Sequence, residues 1–189
     1  MTSPPSHLRL VEPGPETAEG STSPEPATLP TLNEIFRRYS PYVAAIGLRL
    51  LGRVEEIEDV VQDVFIAAHR GLAGLREPAA LKGWLATVTV RVAQRRLRAR
   101  RVRMMLRLTP TYDYELLAQP GFSPEESTMV AEVYAMLDDL PVVERVAWSL
   151  RHMQGERLER VAELTGASLA TVKRRISAAS AKLKERIDG

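Results

Sequence analysis

Eight arginines fall within the eighteen residues VRVAQRRLRARRVRMMLR, from Val90 to Arg107. Guanidinium groups at this density suit one kind of chemistry: they hold anions, and they grip phosphate through paired, planar N–H donors. From Pro78 to Tyr112 the chain carries nine basic side chains and no Asp or Glu. The flanks are balanced, with six basic against seven acidic residues over 31–77 and ten against eleven over 123–189. A net charge of +2 therefore conceals a positive field focused on one place. The ordinary reading of such a run is a solvated helix laced with salt bridges. No acidic residue within reach on the same helix could supply them. RNA, DNA or an acidic protein would each provide the opposite charge.

A second cluster lies near the C-terminus, in LERVAELTGASLATVKRRISAASAKL. Ala162, Gly166 and Val172 stand at the small, turn and buried positions of a helix-turn-helix. Ser168 is placed to cap the second helix, whose inner face is Val172, Ile176, Ala179 and Leu183. That leaves Thr171, Lys173, Arg174, Arg175 and Ser177 available to a major groove. A helical hairpin with a solvated basic face is the bland alternative. The cap and the KRR run at the head of the second helix favour DNA.

Two further features are ambiguous when taken alone. In VEEIEDVVQDVFIAAHR, Ile57, Val60, Val61, Val64, Phe65 and Ala68 form one apolar stripe. Glu58, Asp59, Gln62, Asp63 and Ile66 lie off it, as an ordinary solvated face would. Trp84 reads either as helical core or as a platform for base stacking.

These residues need elements to position them. Periodicity predicts a helix from Leu32 to Leu50 with Gly52 as its stop, and Pro41 is expected to kink or split it. The acidic-polar segment is the second helix. A third starts near Glu77-Pro78, with Leu81, Trp84, Leu85, Val88 and Val92 inward, and runs on into the arginines. Residues 105–122 contain Pro110, Pro120 and Gly121 and read as a linker. Ser123-Pro124-Glu125-Glu126 then opens a new helix with a capping box, and Pro141 starts another. Two more helices follow, at about 158–164 and 169–187. Residues 1–30 are rich in Pro, Ser, Thr and Glu and are expected to be a disordered tail. Nothing reads as a strand. The expected architecture is all-α: two small helical domains, 31–104 and 123–189, joined by a flexible linker, with the helix-turn-helix in the C-terminal one.

Composition narrows the function classes. With no cysteine and three scattered histidines, no disulfide framework, thiolate site or metal-ligand spacing is present. No cofactor is expected. No apolar run approaches the roughly 18–20 residues that span a bilayer, and the N-terminus has no apolar signal core. The expectation is a soluble cytoplasmic protein with no membrane insertion.

Taken in order, IEDVVQDVFIAAHR, ALKGWLATVTVRVAQRRLRARR and LDDLPVVERVAWSLRHMQGERLERVAELTGASLATVKRRISAASAKLKERI resemble the extracytoplasmic-function sigma factors of bacteria. These are small two-domain promoter-specificity subunits of RNA polymerase. The resemblance spans Leu32 to Ile187 and implies a non-enzymatic protein. It implies that Asp59, Gln62, Asp63 and Ile66 meet the polymerase core. Lys82, Gly83, Trp84, Arg91, Gln94, Arg95, Arg98 and Arg101 would engage and help open the −10 element. Ser168, Thr171, Lys173, Arg174, Arg175 and Ser177 would read the −35 element. The implied partners are core polymerase, duplex and melted promoter DNA, and an anti-sigma factor.

Two positions depart from the family. Arg91 and Arg95 stand where it often has Asn and Asp. Arg157-Leu158 replaces Ser-Tyr at the head of the helix-turn-helix, which removes an expected N-cap. The main alternative is an autonomous helix-turn-helix repressor or activator, which would leave the basic segment unexplained. A nuclease lacks a constellation, because the carboxylates of residues 55–63 alternate around a helix with no nearby His or Lys.

Overall fold

Thr31 and Glu34 open the fold by capping each other. The Thr31 hydroxyl accepts from the Glu34 amide at 3.3 Å, and the Glu34 carboxylate accepts from the Thr31 amide at 2.8 Å. The computed structural model describes residues 31–72, 77–106 and 123–188. The tail expected over 1–30 and nearly all of the linker expected over 105–122 lie outside them. Only Met105 and Leu106 of that linker are described, as the end of a helix.

The cap starts α1 (Leu32–Leu51), which runs unbroken through Pro41. Pro41 sits on the exposed side, while Ile35 before it and Val43, Ile46 and Leu50 after it are buried. Anchorage on both sides outweighs a penalty of about 3 kcal/mol, so the expected break does not occur. Gly52 ends the helix in the left-handed region, at φ 71°, and its N–H donates to the Leu48 carbonyl at 2.7 Å. A side chain at Gly52 would also collide with the ring of Tyr134.

A 3-10 turn (Val54–Glu56) leads into α2 (Ile57–Gly71), and another (Pro78–Ala80) leads into α3 (Leu81–Met105). The three helices pack pairwise around Val43, Leu50, Val60, Val64, Leu85 and Val92. Ile57 and Val61, expected on the buried stripe of α2, are only half-buried, because α1 and α3 together do not cover the whole of that stripe.

The second half contains α4 (Pro124–Asp138), α5 (Val142–His152), α6 (Leu158–Thr165) and α7 (Leu169–Asp188). Ser123 and Glu126 form the anticipated capping box for α4. No strand occurs among the described residues. The two halves do not stand apart: α5 lies on α1 and α3, and α6 lies on α3. Val146 and Leu150 of α5, Val161 and Leu164 of α6, and Val172 of α7 join the same apolar cluster as α1–α3. Tyr134, Leu137 and Leu140 form a smaller cluster with Ala179 and Leu183 of α7.

Candidate nucleic-acid interface

The α-helix advances about 100° per residue, and this divides the arginines of α3 into two sets. Arg91, Arg95 and Arg98 fall on one outward stripe and are exposed, with half-buried Gln94 at its edge. Arg96 and Arg100 fall on the opposite side and turn inward, Arg100 to 2% exposure. The positive field is therefore not unopposed, as the sequence suggested. Its counter-charges come from other helices.

Arg96 donates to Asp63 of α2 at 2.7 Å and lies 3.7 Å from Asp59, and Arg95 reaches Asp63 at 3.2 Å. Arg100 donates to Glu56 at 2.6 Å and to the Leu51 carbonyl at 3.2 Å. Arg101, at the border of the outward set, donates to the Leu140 carbonyl at 2.8 Å. Arg91 and Arg98 thus form the part of the outward stripe turned to solvent with neither a carboxylate nor a carbonyl bound in these contacts.

Upstream on α3, Lys82 is exposed with its ammonium 4.9 Å from the centre of the Tyr42 ring, a cation–π distance. Trp84 is half-buried and packs on the core; a Cβ at Gly71 would come within 2.6 Å of its ring. The indole is therefore wedged against α2, which supports the core alternative for the bulk of the side chain.

The acidic face of α2 is divided in the same way. Asp59 is 68% exposed and Ile66 45% exposed, and Gln62 is exposed beside them. Asp63 is only 32% exposed and is committed to Arg95 and Arg96. Three of the four residues assigned to this face point to solvent; the fourth ties α2 to α3.

The helix-turn-helix forms as its spacing demands. Gly166 takes φ 65° between α6 and α7, and its N–H bonds back to the Glu163 carbonyl. Val161, Leu164 and Val172 are buried at the helix crossing. The Ser168 hydroxyl accepts from the Thr171 amide at 3.3 Å and donates to the Thr171 hydroxyl at 2.9 Å, so it caps α7. Lys173, Arg174 and Ser177 are exposed, whereas Thr171 and Arg175 are half-buried. At the head of α6, Arg157 is extended and makes no side-chain cap, as its type requires.

The largest feature that sequence reasoning missed lies between the halves. Asp138, the last residue of α4, is hydrogen-bonded to Arg145 of α5 and lies 3.6 Å from Arg100 of α3 and 4.0 Å from Arg53. Arg145 also donates to the carbonyls of Leu50 and Leu51 at 3.1–3.3 Å. Those are terminal carbonyls of α1, which have no intrahelical partner and carry the negative end of its dipole. Three guanidinium groups converge there because α1 ends there. Burial pulls Arg145 below its ordinary value, and the Asp138 carboxylate beside it opposes that pull. One signal was readable in the sequence: Arg145 and Ser149 share the inward side of α5 with apolar residues.

Tyr134 seals the same junction. Its hydroxyl donates to the Leu48 and Arg49 carbonyls at 3.4 and 3.2 Å, and burial pushes the phenol up to about 12. On the far side, Arg160 of α6 donates to the Gly83 carbonyl at 3.3 Å. The helix-turn-helix therefore rests on the same end of α3 that carries Lys82 and Trp84.

Residues 35–103 match the Sigma-70 region 2 family, and residues 131–183 match Sigma-70, region 4. The chain is 29% identical over 182 residues to the ECF RNA polymerase sigma factor SigE of Mycolicibacterium smegmatis, covering 93% of this chain and 70% of the relative. It is 30% identical over 152 residues to the ECF RNA polymerase sigma factor SigM of Mycobacterium tuberculosis, covering 80% and 74%. Among solved structures, the sigma factor RpoE of Bartonella quintana, crystallised with the anti-sigma factor NepR, shares the fold. It superposes with a TM-score of 0.58 at 23% identity, over 82% of this chain and 96% of that one.

Proposed function

This chain belongs to the extracytoplasmic-function sigma factors of the sigma-70 family, and on that premise we propose how its faces divide the work. As such it is a non-enzymatic RNA polymerase subunit that binds promoter DNA and directs transcription initiation. Its place of action is the bacterial cytoplasm, where polymerase works; among the described residues no helix is long and apolar enough to cross a membrane.

The face of α2 bearing Asp59, Gln62 and Ile66 docks on the polymerase core, with Asp63 holding that face to α3. The outward side of α3, from Lys82 and Trp84 through Arg91, Gln94, Arg95 and Arg98 to Arg101, engages the −10 element. Ser168, Thr171, Lys173, Arg174, Arg175 and Ser177 meet the −35 element from α7. The boundaries follow: residues 31–104 for the core and −10 functions, 105–122 as the connection, 123–189 for the −35 function.

The observation that carries this reading is the division of the arginines. Arg91 and Arg98 remain turned to solvent on a helix whose Arg95, Arg96, Arg100 and Arg101 are all engaged within the fold. Phosphate is the chemistry that completes them. Melting needs no nucleotide hydrolysis in this scheme, because binding the open form shifts the duplex equilibrium.

Two elements centred about 25 base pairs apart lie about 85 Å apart on B-DNA, at about 3.4 Å per step. Arg160 touching Gly83 is incompatible with that span. The docked arrangement is the DNA-free form, and the halves separate on polymerase. The Bartonella quintana sigma factor was crystallised with an anti-sigma factor, which supports an equivalent partner here.

Run-off transcription with purified core polymerase on fragments of the host genome tests the reading. Discrete start sites that need both this chain and core are expected. A tight footprint by the chain alone at physiological salt, unimproved by core, would assign it to autonomous repressors or activators.

A further inference from the structure

A groove of about 680 Å³ runs between the start of α1 and the outward side of α2, lined by Leu32, Phe36, Val61, Phe65 and Ile66. Phe36 is 44% exposed and Ile66 45% exposed, although Phe36 already stacks edge-on against Phe65 at 4.8 Å between ring centres. Two large apolar side chains left in water beside a preformed concavity mark a binding surface. Among the described residues nothing covers it.

We propose that this groove is the docking site of the chain's own N-terminal segment, with Leu8, Leu10 and Val11 as the anchoring residues. Three observations select this occupant. The first is attachment: Leu32, which lines the groove, is the first residue of α1, and the capping box at Thr31 fixes the point where residues 1–30 are joined to it. The second is composition. From Met1 to Thr28 the only cluster of large aliphatic residues is Leu8, Leu10 and Val11, in HLRLVEP. Pro4, Pro5, Pro13 and Pro15 flank it, which disfavours a helix and favours an extended segment that sets Leu8 and Leu10 on one side. The third is charge. Glu58 and Arg70 also line the groove, and the segment carries Arg9 and Glu12 as their opposites.

Tethering makes a weak contact sufficient. As a random coil, the connection from Leu10 to Leu32 has a root-mean-square span of about 25 Å, within reach of the groove. Such a tether gives an effective concentration on the order of 1 mM, so a segment with a bare dissociation constant of about 100 µM would be docked about ten to one. Gln62 and Ile66 both line the groove and both belong to the proposed polymerase face. On that reading of α2, the docked segment masks the face from core polymerase.

Photocrosslinking tests the docking without polymerase, in the full chain with p-benzoylphenylalanine in place of Leu10. A crosslink within the monomer to the peptides bearing Phe36 or Ile66 is the expected result. A crosslink confined elsewhere, or none, overturns the proposal. A covalent dimer overturns it by assigning the groove to a second copy. The companion variant Leu8→Asp/Leu10→Asp changes neither groove-lining nor core residues and should raise affinity for core polymerase by up to about tenfold. If the crosslink forms as expected and affinity does not move, the docking stands and the polymerase reading of this face of α2 is the part that fails.

Discussion

Arg100 of α3 lies 3.6 Å from Asp138 at the end of α4, and this pair joins the helix expected to hold DNA to the domain expected to read the upstream element. Arg100 is 2% exposed and Asp138 13%, so water screens the pair poorly. Replacing Asp138 with Asn should release the C-terminal domain while both domains stay helical. Removing one partner of a buried ion pair costs roughly 3–5 kcal/mol, shared here between docking and the Arg145 contact inside the domain. Arg100→Met should loosen docking too, with a further stability cost inside the N-terminal half, because it strips Glu56 and the Leu51 carbonyl of their donor. Small-angle scattering should show a larger radius of gyration for both variants; an unchanged radius at full helicity would remove the clasp from the account.

Tyr134 predicts a pH limit for the same junction. Its phenol ordinarily titrates near 10.0 and is pushed up to about 12 in the folded chain. The protonated form is the one favoured by folding, so its contribution is complete below about pH 10 and is lost as pH rises through about 12. At about 1.4 kcal/mol per unit, the loss is on the order of 3 kcal/mol. Denaturant unfolding across this range should show the decline. Tyr134→Phe should flatten that part of the profile.

The outward arginines and the inward ones should behave as opposites. Arg91→Ala/Arg98→Ala should leave core binding and thermal stability near wild type and impair open-complex formation. The slope of log affinity against log salt should fall by up to about 0.9 per lost duplex-phosphate contact. Permanganate reactivity of unpaired thymines reads the melting directly, and normal reactivity in the double variant would sever this stripe from the −10 function. Arg96→Ala should instead cost stability, because it strips Asp63 of its 2.7 Å partner.

Asp59 and Asp63 separate core binding from folding. Asp59→Ala should weaken association with polymerase core at little cost in melting temperature, since the side chain is 68% exposed. Asp63→Ala should lower stability by about 0.5–1 kcal/mol, because it breaks the links to Arg95 and Arg96. Pull-downs alongside thermal melts distinguish the two; equal effects on both measurements would dissolve the distinction.

Arg174 is the most direct test of α7, being exposed near the head of the helix capped by Ser168. If it reads a guanine edge, Arg174→Ala should cost roughly 1–3 kcal/mol of promoter affinity and relax specificity at one −35 position. A uniform loss across −35 variants would make it a phosphate contact. Ser168→Ala should lower stability by about 0.5–2 kcal/mol, as loss of a helix cap does.

Local chemistry made much of this protein legible from residues alone. Ser123-x-x-Glu126 announces a helix start, and Gly52 and Gly166 announce stops, because each depends only on neighbours three or four residues away. The helix-turn-helix was readable for the same reason, since the spacing of Gly166, Ser168 and Val172 specifies a local turn. The roles of the charged side chains were not readable. Arg95 and Arg96 find Asp63 more than thirty residues away, and Arg145 finds the Leu50 carbonyl ninety-five residues away. Helical periodicity places Arg100 opposite Arg91 and Arg98, but only the approach of α4 and the open end of α1 make that side an interior. Which arginines serve the fold and which stay open to solvent was thus decided by the carboxylates and carbonyls the packing brought within about 4 Å, and no interval along the chain encodes that.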